Sequence, residues 1–195
     1  INAGSSSLKY QLIDMDNEQM LAKGNCEKIG LEMGIFGHKT ADGREKKIEI
    51  RMANHTEAFE QVKNALLDSE VGVIKDLSEV AAIGHRIVQG GWYFGDSSLV
   101  DEDVLAKIRE VAPLAPLHNN PEANVIEYCL EQYPDLPNVT VYDTAFHFNM
   151  PEVAKTYALP KDVCDKLHIR KYGAHGTSYR YISKKAVSYT HLTLP

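Results

Sequence analysis

The hydrophobic pattern of this chain changes its period after residue 52, and that change limits the folds open to it. Residues 7–14 and 46–52 alternate apolar and polar side chains, which is typical of β-strands with one face buried. We predict strands over Ser7–Asp14, Gln19–Ile29 and Lys46–Met52, with a turn at 15–18 joining the first two. The opening of the chain is therefore predicted to be a β-meander.

Helices and strands alternate after the meander. The predicted helices are Thr56–Leu67 with Thr56 as N-cap, Asp101–Val111 capped by Asp101, Pro121–Gln132 with its proline in the first turn, and Thr177–Ala186. The predicted strands are Val80–Val88 and Asn138–Tyr142. Strands followed by helix–strand alternation indicate an α/β protein with a mixed sheet and crossover helices. Residues 187–195 leave the helical spacing, so we expect a domain of residues 1–186 followed by a non-native or unassigned tail.

The composition excludes several classes of function. The net charge is -6 and the basic residues are scattered, so we expect no nucleic-acid partner. No apolar stretch approaches the about 20 residues that span a bilayer, so we expect no membrane segment. Cys26, Cys129 and Cys164 are odd in number and widely spaced, which argues against a disulfide framework and favours a reducing compartment. The chain opens on Ile1 rather than Met, so we expect residues upstream of it.

Two charged residues stand at or near the ends of predicted strands. Arg86 is followed closely by Gly90 and Gly91, and a guanidinium near the end of an apolar strand needs an anionic partner. That partner is either a bound carboxylate or phosphate, or an internal salt bridge. Asp143 directly follows a strand, where open α/β sheets bind ligands. It is a candidate Mg²⁺ ligand or base, with a turn or N-cap role as the alternative.

Two glycine-containing turns are candidate anion sites. Residues 2–7 offer backbone N–H groups and hydroxyls to an anion, although the same residues also suit a plain hairpin turn. His175 lies between glycines just before a predicted helix, which suits a transferring phosphate, while a structural turn histidine is the alternative. A metal hydrolase using His118, His147 and His175 is a further alternative, but these histidines lack the His-x-x-x-His ligand spacing.

Five segments, taken in order, resemble the acetate kinase family. They are residues 1–10 (INAGSSSLKY), 84–91 (GHRIVQGG), 114–119 (LAPLHN), 143–147 (DTAFH) and 170–178 (RKYGAHGTS). The resemblance implies an actin-like, ribonuclease H-like fold of two related domains, with this chain as the first and the C-terminal nucleotide-binding domain absent. It also implies reversible synthesis of acetyl phosphate from acetate and ATP with Mg²⁺, by a cytoplasmic homodimer.

The same resemblance implies a role for each matching residue. Asp143 and His175 would be catalytic, Arg86, Val88 and Leu117 would bind the substrate, Ser7 and Lys9 would bind the nucleotide, and Asn2 would lie at the Mg²⁺ end of the cleft. Ala174 stands where some members have Phe, and the smaller side chain leaves propionate open as a substrate. The remaining alternatives are a propionate or butyrate kinase and a non-catalytic actin-like ATP-binding module.

Overall fold

The computed structural model describes residues 1–193, and it confirms the predicted β-meander. Five antiparallel strands follow one another in chain order: β1 (Asn2–Ala3), β2 (Ser7–Asp14), β3 (Gln19–Glu27), β4 (Gly34–Thr40) and β5 (Glu45–Ile50). Strand β4 is missing from the sequence-based prediction because its two glycines lower strand propensity. Its buried Phe36, His38 and Thr40 nevertheless alternate as a half-buried strand should.

A second, three-stranded sheet adjoins the meander. It contains β6 (Ile83–Ile87), β7 (Ser98–Leu99) and β8 (Asn138–Tyr142), in the spatial order β6-β8-β7, with β6 and β8 parallel. The Ile1 amino group donates to the Gly84 carbonyl at 2.7 Å, and the Arg86 N–H donates to the Ile1 carbonyl at 3.0 Å. The two sheets therefore meet where β1 lies beside β6, which gives the mixed sheet that the sequence predicts.

Six α-helices accompany the sheets in the described chain. They are α1 (His55–Leu66), α2 (Glu102–Glu110), α3 (Pro116–Gln132), α4 (Glu152–Lys155), α5 (Lys161–Leu167) and α6 (Gly176–Thr193). Asp101 caps α2 as predicted, but Asn54 rather than Thr56 caps α1 by accepting the Glu57 N–H at 2.9 Å. Helix α3 begins at Pro116, five residues before the predicted start, because proline fits the first helical position.

The last helix is longer than the sequence-based prediction. We expected it to end at Ala186, yet α6 continues through Thr193. Helix propensities differ by only tenths of a kcal/mol for most residues, so β-branched residues do not stop a helix that is already nucleated. Leu194 and Pro195, the end of the predicted tail, lie outside the described residues. In the described part of the chain, no helix combines the length and hydropathy needed to cross a membrane.

Helix α3 packs against both sheets. Its Val125 and Cys129 join the core under the meander, together with residues of α1. Its Ala123 and Ile126 join a second core formed by residues of β6, β8 and α2. Because α3 lies across the junction of the sheets, the first turns of this helix stand beside the carboxyl ends of β6 and β8.

Candidate active site

The register of the parallel strands brings Arg86 and Asp143 together. Arg86 in β6 pairs with Val141 in β8, and the Asp143 N–H donates to the Ile87 carbonyl at 2.9 Å. Side chains two residues apart on a strand share a face, so Asp143 emerges on the side of Arg86. The opposite faces of both strands carry buried residues of the core, which fixes this register.

Arg86 and Asp143 form a forked ion pair. The Arg86 Nε donates to Asp143 Oδ1 at 3.1 Å, and Nη2 donates to Oδ2 at 2.6 Å. The Asp143 side chain is 5% exposed, whereas that of Arg86 is 37% exposed. The hydrogen bonds to Asp143 raise the pKa of Arg86, so the guanidinium keeps its charge. The internal salt bridge considered from the sequence is therefore present.

The guanidinium also retains donors for a ligand. Its Nη1 donates to the Asn2 Oδ1 at 3.1 Å, so three of the five N–H groups of Arg86 serve Asn2 and Asp143. Within residues 1–193, one N–H group on Nη1 and one on Nη2 remain without a protein partner, on a side chain that water reaches. Two parallel N–H groups on one edge of a guanidinium match the spacing of carboxylate oxygens. This site therefore holds a preorganised cation with unused donors.

The residues of the first hairpin lie on the β1 side of Arg86. Lys9 of β2 pairs with Asn2 of β1, so the two side chains share a face of the sheet, and the Lys9 side chain is exposed. The turn before β2 is tight, because the Gly4 N–H donates to the Ser7 carbonyl at 2.7 Å. Ser5 and Ser6 are exposed there. Asn2 and Lys9 thus extend the polar row that Arg86 and Asp143 begin.

Buried polar side chains hold the loop after β6. The Asn119 amide accepts the Gln89 N–H at 3.1 Å and donates to the Gln89 carbonyl at 2.8 Å. The Glu122 Oε2 accepts the Val88 N–H at 3.1 Å, and the Thr144 hydroxyl accepts the Gly90 N–H at 3.0 Å. Residues 88–90 are consequently fixed in space, directly after the strand that carries Arg86.

Glu122 has a shifted pKa. It is 2% exposed, and burial raises its pKa to about 7, although the Val88 N–H and the charge of Arg86 oppose the shift. The nearby charge of Asp143 raises the same pKa. The sequence-based search for catalytic groups missed both Asn119 and Glu122. Their spacing of three residues at a helix start was the available signal, because it places both on one helical face.

His175 stands beside the end of β8. The Gly176 N–H donates to the Asp143 carbonyl at 2.7 Å, and a Cβ on Gly176 would lie 2.4 Å from that oxygen, so only glycine fits. His175 has a φ of 54°, which turns the chain into α6. The imidazole is exposed to solvent. The backbone of His175 is therefore next to the Arg86–Asp143 pair, while its catalytic role stays a prediction.

Two of the predicted substrate-binding residues, Val88 and Leu117, differ in their exposure. Val88 is half-buried in the fixed loop, whereas Leu117 is 69% exposed on the first turn of α3. Their roles in binding stay predictions. Within residues 1–193, no group of three or more His, Cys, Asp or Glu side chains is arranged to hold a metal ion. In these residues, His118, His147 and His175 are therefore not arranged as the metal cluster that the hydrolase alternative requires.

Comparison with solved structures indicates the class of protein that has this fold. The acetate kinase of Porphyromonas gingivalis superposes with a TM-score of 0.91 at 40% identity, over 97% of this chain and 48% of that chain. A propionate kinase from Francisella tularensis gives a TM-score of 0.89 at 38% identity, with the same coverage. The actin-like fold expected from the sequence motifs is thus confirmed, and it is shared with kinases named for short carboxylates.

The family follows from sequence comparison. The model of the Acetokinase family matches residues 1–194, so this chain belongs to that family. The acetate kinase of Acetivibrio thermocellus is 51% identical over 186 residues, which are 95% of this chain and 47% of that protein. The acetate kinase of Methanosarcina mazei is 50% identical over 188 residues, or 96% and 46%. The chain spans about half the length of the curated relatives that it matches.

Proposed function

We propose that this chain forms the carboxylate-binding half of an acetate kinase, which transfers the γ-phosphoryl group of ATP to acetate and releases acetyl phosphate and ADP. The observation that carries the proposal is the forked Arg86–Asp143 pair with two unused guanidinium donors, in a member of the Acetokinase family. A non-catalytic actin-like module would not need such a cation at the strand ends.

Acetate would bind to the free edge of Arg86 through its two oxygens. Asp143 keeps the guanidinium in one orientation, so the carboxylate meets a donor pair that is already aligned. One acetate oxygen is then the nucleophile that attacks the γ-phosphorus in line with the departing ADP oxygen. Positioning and charge neutralisation carry most of such a reaction, and no covalent bond to the protein is required.

The methyl group of acetate would lie toward Val88 and Leu117. The loop of residues 88–90 is fixed by Asn119 and Glu122, so the position of Val88 is set before the substrate arrives. Ala174 is exposed and small, which leaves room for one more methylene. Propionate is accordingly the second candidate substrate, and the likeness to the Francisella tularensis propionate kinase supports it.

The nucleotide would approach from the side of Asn2, Ser7 and Lys9, and His175 would stabilise the phosphoryl group as it moves. The oxygens of Asn2 and Asp143 are hard donors of the kind that Mg²⁺ prefers, and both face Arg86 in this structure. Mg²⁺ usually keeps several waters and binds substrate phosphates, so one or two protein oxygens are enough to hold it. Asn2 and Asp143 would fit this role. When bound, the ion would neutralise phosphate charge.

Two further features belong to the same proposal. The three cysteines are buried and unpaired, which suits the reducing cytoplasm. We also expect a homodimer, as the family resemblance implies. Because the chain spans about half of its relatives, we expect the 195-residue chain alone to show no acyl hydroxamate formation from acetate, ATP and hydroxylamine.

Activity is best tested in a hybrid enzyme. Residues 1–186 of this chain would replace the matching segment of the Acetivibrio thermocellus acetate kinase, which is 51% identical to this chain over 186 residues. We expect turnover of acetate in the hydroxamate assay, with propionate compared at equal concentration. Arg86→Lys and Arg86→Ala should lower kcat/KM for acetate about 10- to 100-fold, with the larger loss for Ala.

The kinetic pattern distinguishes the substrate side from the nucleotide side. Loss in both kcat and the acetate KM, with an unchanged ATP KM, would support carboxylate binding by Arg86. An Arg86→Ala hybrid with a raised ATP KM and normal acetate kinetics would refute it. Arg109→Ala, at an arginine of α2 that is 38% exposed and paired with Glu127, is the matched control and should keep both KM values.

A further inference from the structure

Glu122 is a buried acid that the proposed reaction does not use. It is 2% exposed, and within residues 1–193 its Oε1 has no hydrogen-bond partner. An unpaired carboxylate in such a place is expensive, whereas an uncharged carboxyl group costs much less. The charge state that fits this environment has the proton on Oε1 and leaves Oε2 free to accept the Val88 N–H.

The position of Glu122 links it to Arg86. Its Oε2 holds the backbone two residues after Arg86, and the charges of Arg86 and Asp143 both act on its carboxyl group. When Glu122 is neutral, it adds no charge to the Arg86–Asp143 ion pair. An ionised Glu122 would compete with Asp143 for Arg86 and would add a negative charge where an anionic substrate has to bind.

We infer that Glu122 is a positioning residue, which in its uncharged form keeps Arg86 paired with Asp143 and open to a carboxylate, and which weakens carboxylate binding when it ionises. The part that concerns substrate rests on the proposed function. The pairing of Arg86 with Asp143 is independent of any substrate. Burial supports the inference by raising the pKa of Glu122 to about 7, so that ionisation falls in an accessible range of pH.

The charged neighbours of Glu122 come from two strands. Arg86 belongs to β6 and Asp143 follows β8, while His118, one turn earlier on α3, is exposed to solvent. On α2, Lys107 pairs with Asp103, Arg109 with Glu127 and Glu110 with Tyr93, while Glu102 is exposed to solvent. Exposed histidines such as His118 and His175 also lie near the site, so the experiment has to separate any effect of theirs from that of Glu122.

NMR on the 195-residue chain separates these effects. The Glu122 side-chain carboxyl carbon and the Arg86 Nε–H are followed from about pH 5.5 to about 8.5. We expect Glu122 to titrate near 7 and the Arg86 signal to move with the same midpoint. In Glu122→Gln, which stays neutral and still accepts the Val88 N–H, the Arg86 signal should lose that step. Glu131→Gln, at an exposed acid on the same helix, should keep it.

The consequence for binding is measured with acetate as the probe, which stays ionised over this range. We expect acetate affinity to fall about tenfold between about pH 6 and about pH 8.5, and to fall less than about twofold in Glu122→Gln. The inference is overturned if the Arg86 signal does not change as Glu122 titrates, or if Glu122 titrates at the ordinary pKa of a glutamate. Both measurements are made on the wild-type chain. If Arg86 follows Glu122 but acetate binds at no pH to this chain and the hybrid enzyme does not turn acetate over, the positioning role stands and the proposed substrate fails.

Discussion

Removal of Arg86 should destabilise the chain more than removal of the Asp143 charge, because the two partners are buried to different extents. Asp143 is 5% exposed and Arg86 is 37% exposed. Arg86→Ala therefore leaves a buried carboxylate without its partner, which we expect to lower the free energy of unfolding by about 3 kcal/mol. Asp143→Asn leaves a guanidinium that water already reaches, so we expect a loss of about 1.5 kcal/mol.

The double variant gives the sharper test. Once Arg86 is absent, Asp143→Asn removes the unpaired buried charge, so the double variant should be more stable than Arg86→Ala alone by about 1 kcal/mol. Urea unfolding at neutral pH, followed by circular dichroism and by the fluorescence of Trp92, measures each variant. The matched control is the surface pair Arg109–Glu127, whose side chains are 38% and 48% exposed. Its coupling should stay below about 1 kcal/mol.

A further loss on adding Asp143→Asn to Arg86→Ala would refute this reasoning. It would mean that the Asp143 carboxylate is stabilised by groups other than Arg86. Equal coupling in the buried and surface pairs would refute it as well, since burial is the only difference on which the expected magnitudes depend.

Three other changes test the structure around the site. The wild type should lose about 3 kcal/mol of unfolding free energy as pH rises from about 4.5 to about 7, because the raised pKa of Glu122 makes the folded chain hold a proton that the unfolded chain has released. Glu122→Gln should remove this loss. Urea midpoints measured across pH test it, and an unchanged dependence on pH in the variant contradicts it. Gly91→Ala should lower the free energy of unfolding by at least about 1 kcal/mol more than Gly43→Ala does. The angle φ is positive at both positions, but only a Cβ on Gly91 would meet Val111, at 2.4 Å. Equal losses in the two variants would disprove the clash. Asp101→Ala removes the N-cap of α2 and should lower the free energy of unfolding by about 1 kcal/mol. An unchanged thermal unfolding temperature would show that the cap is dispensable.

Local patterns were sufficient for most of the elements. The alternation in β2 and in β8 predicts both strands with the bounds that the structure has, because one buried face imposes a period of two on a strand. Asp101 was recognised as a cap, since a short polar side chain before a helical run satisfies free N–H groups. The prediction was wrong where local signals conflict with packing, as in the glycine-containing β4 and at the start of α3.

The sequence by itself determined which residue types stand at the strand ends and glycine turns, and the five ordered motifs were enough to indicate the Acetokinase family. Only the tertiary structure decided which of these residues meet. Arg86 and Asp143 are 57 positions apart, and their fork exists because β6 and β8 lie parallel in one register. Glu122 reads in the sequence as one acid on a helix. Its raised pKa follows from burial beside that fork, and burial is a property of the packed chain rather than of any local pattern.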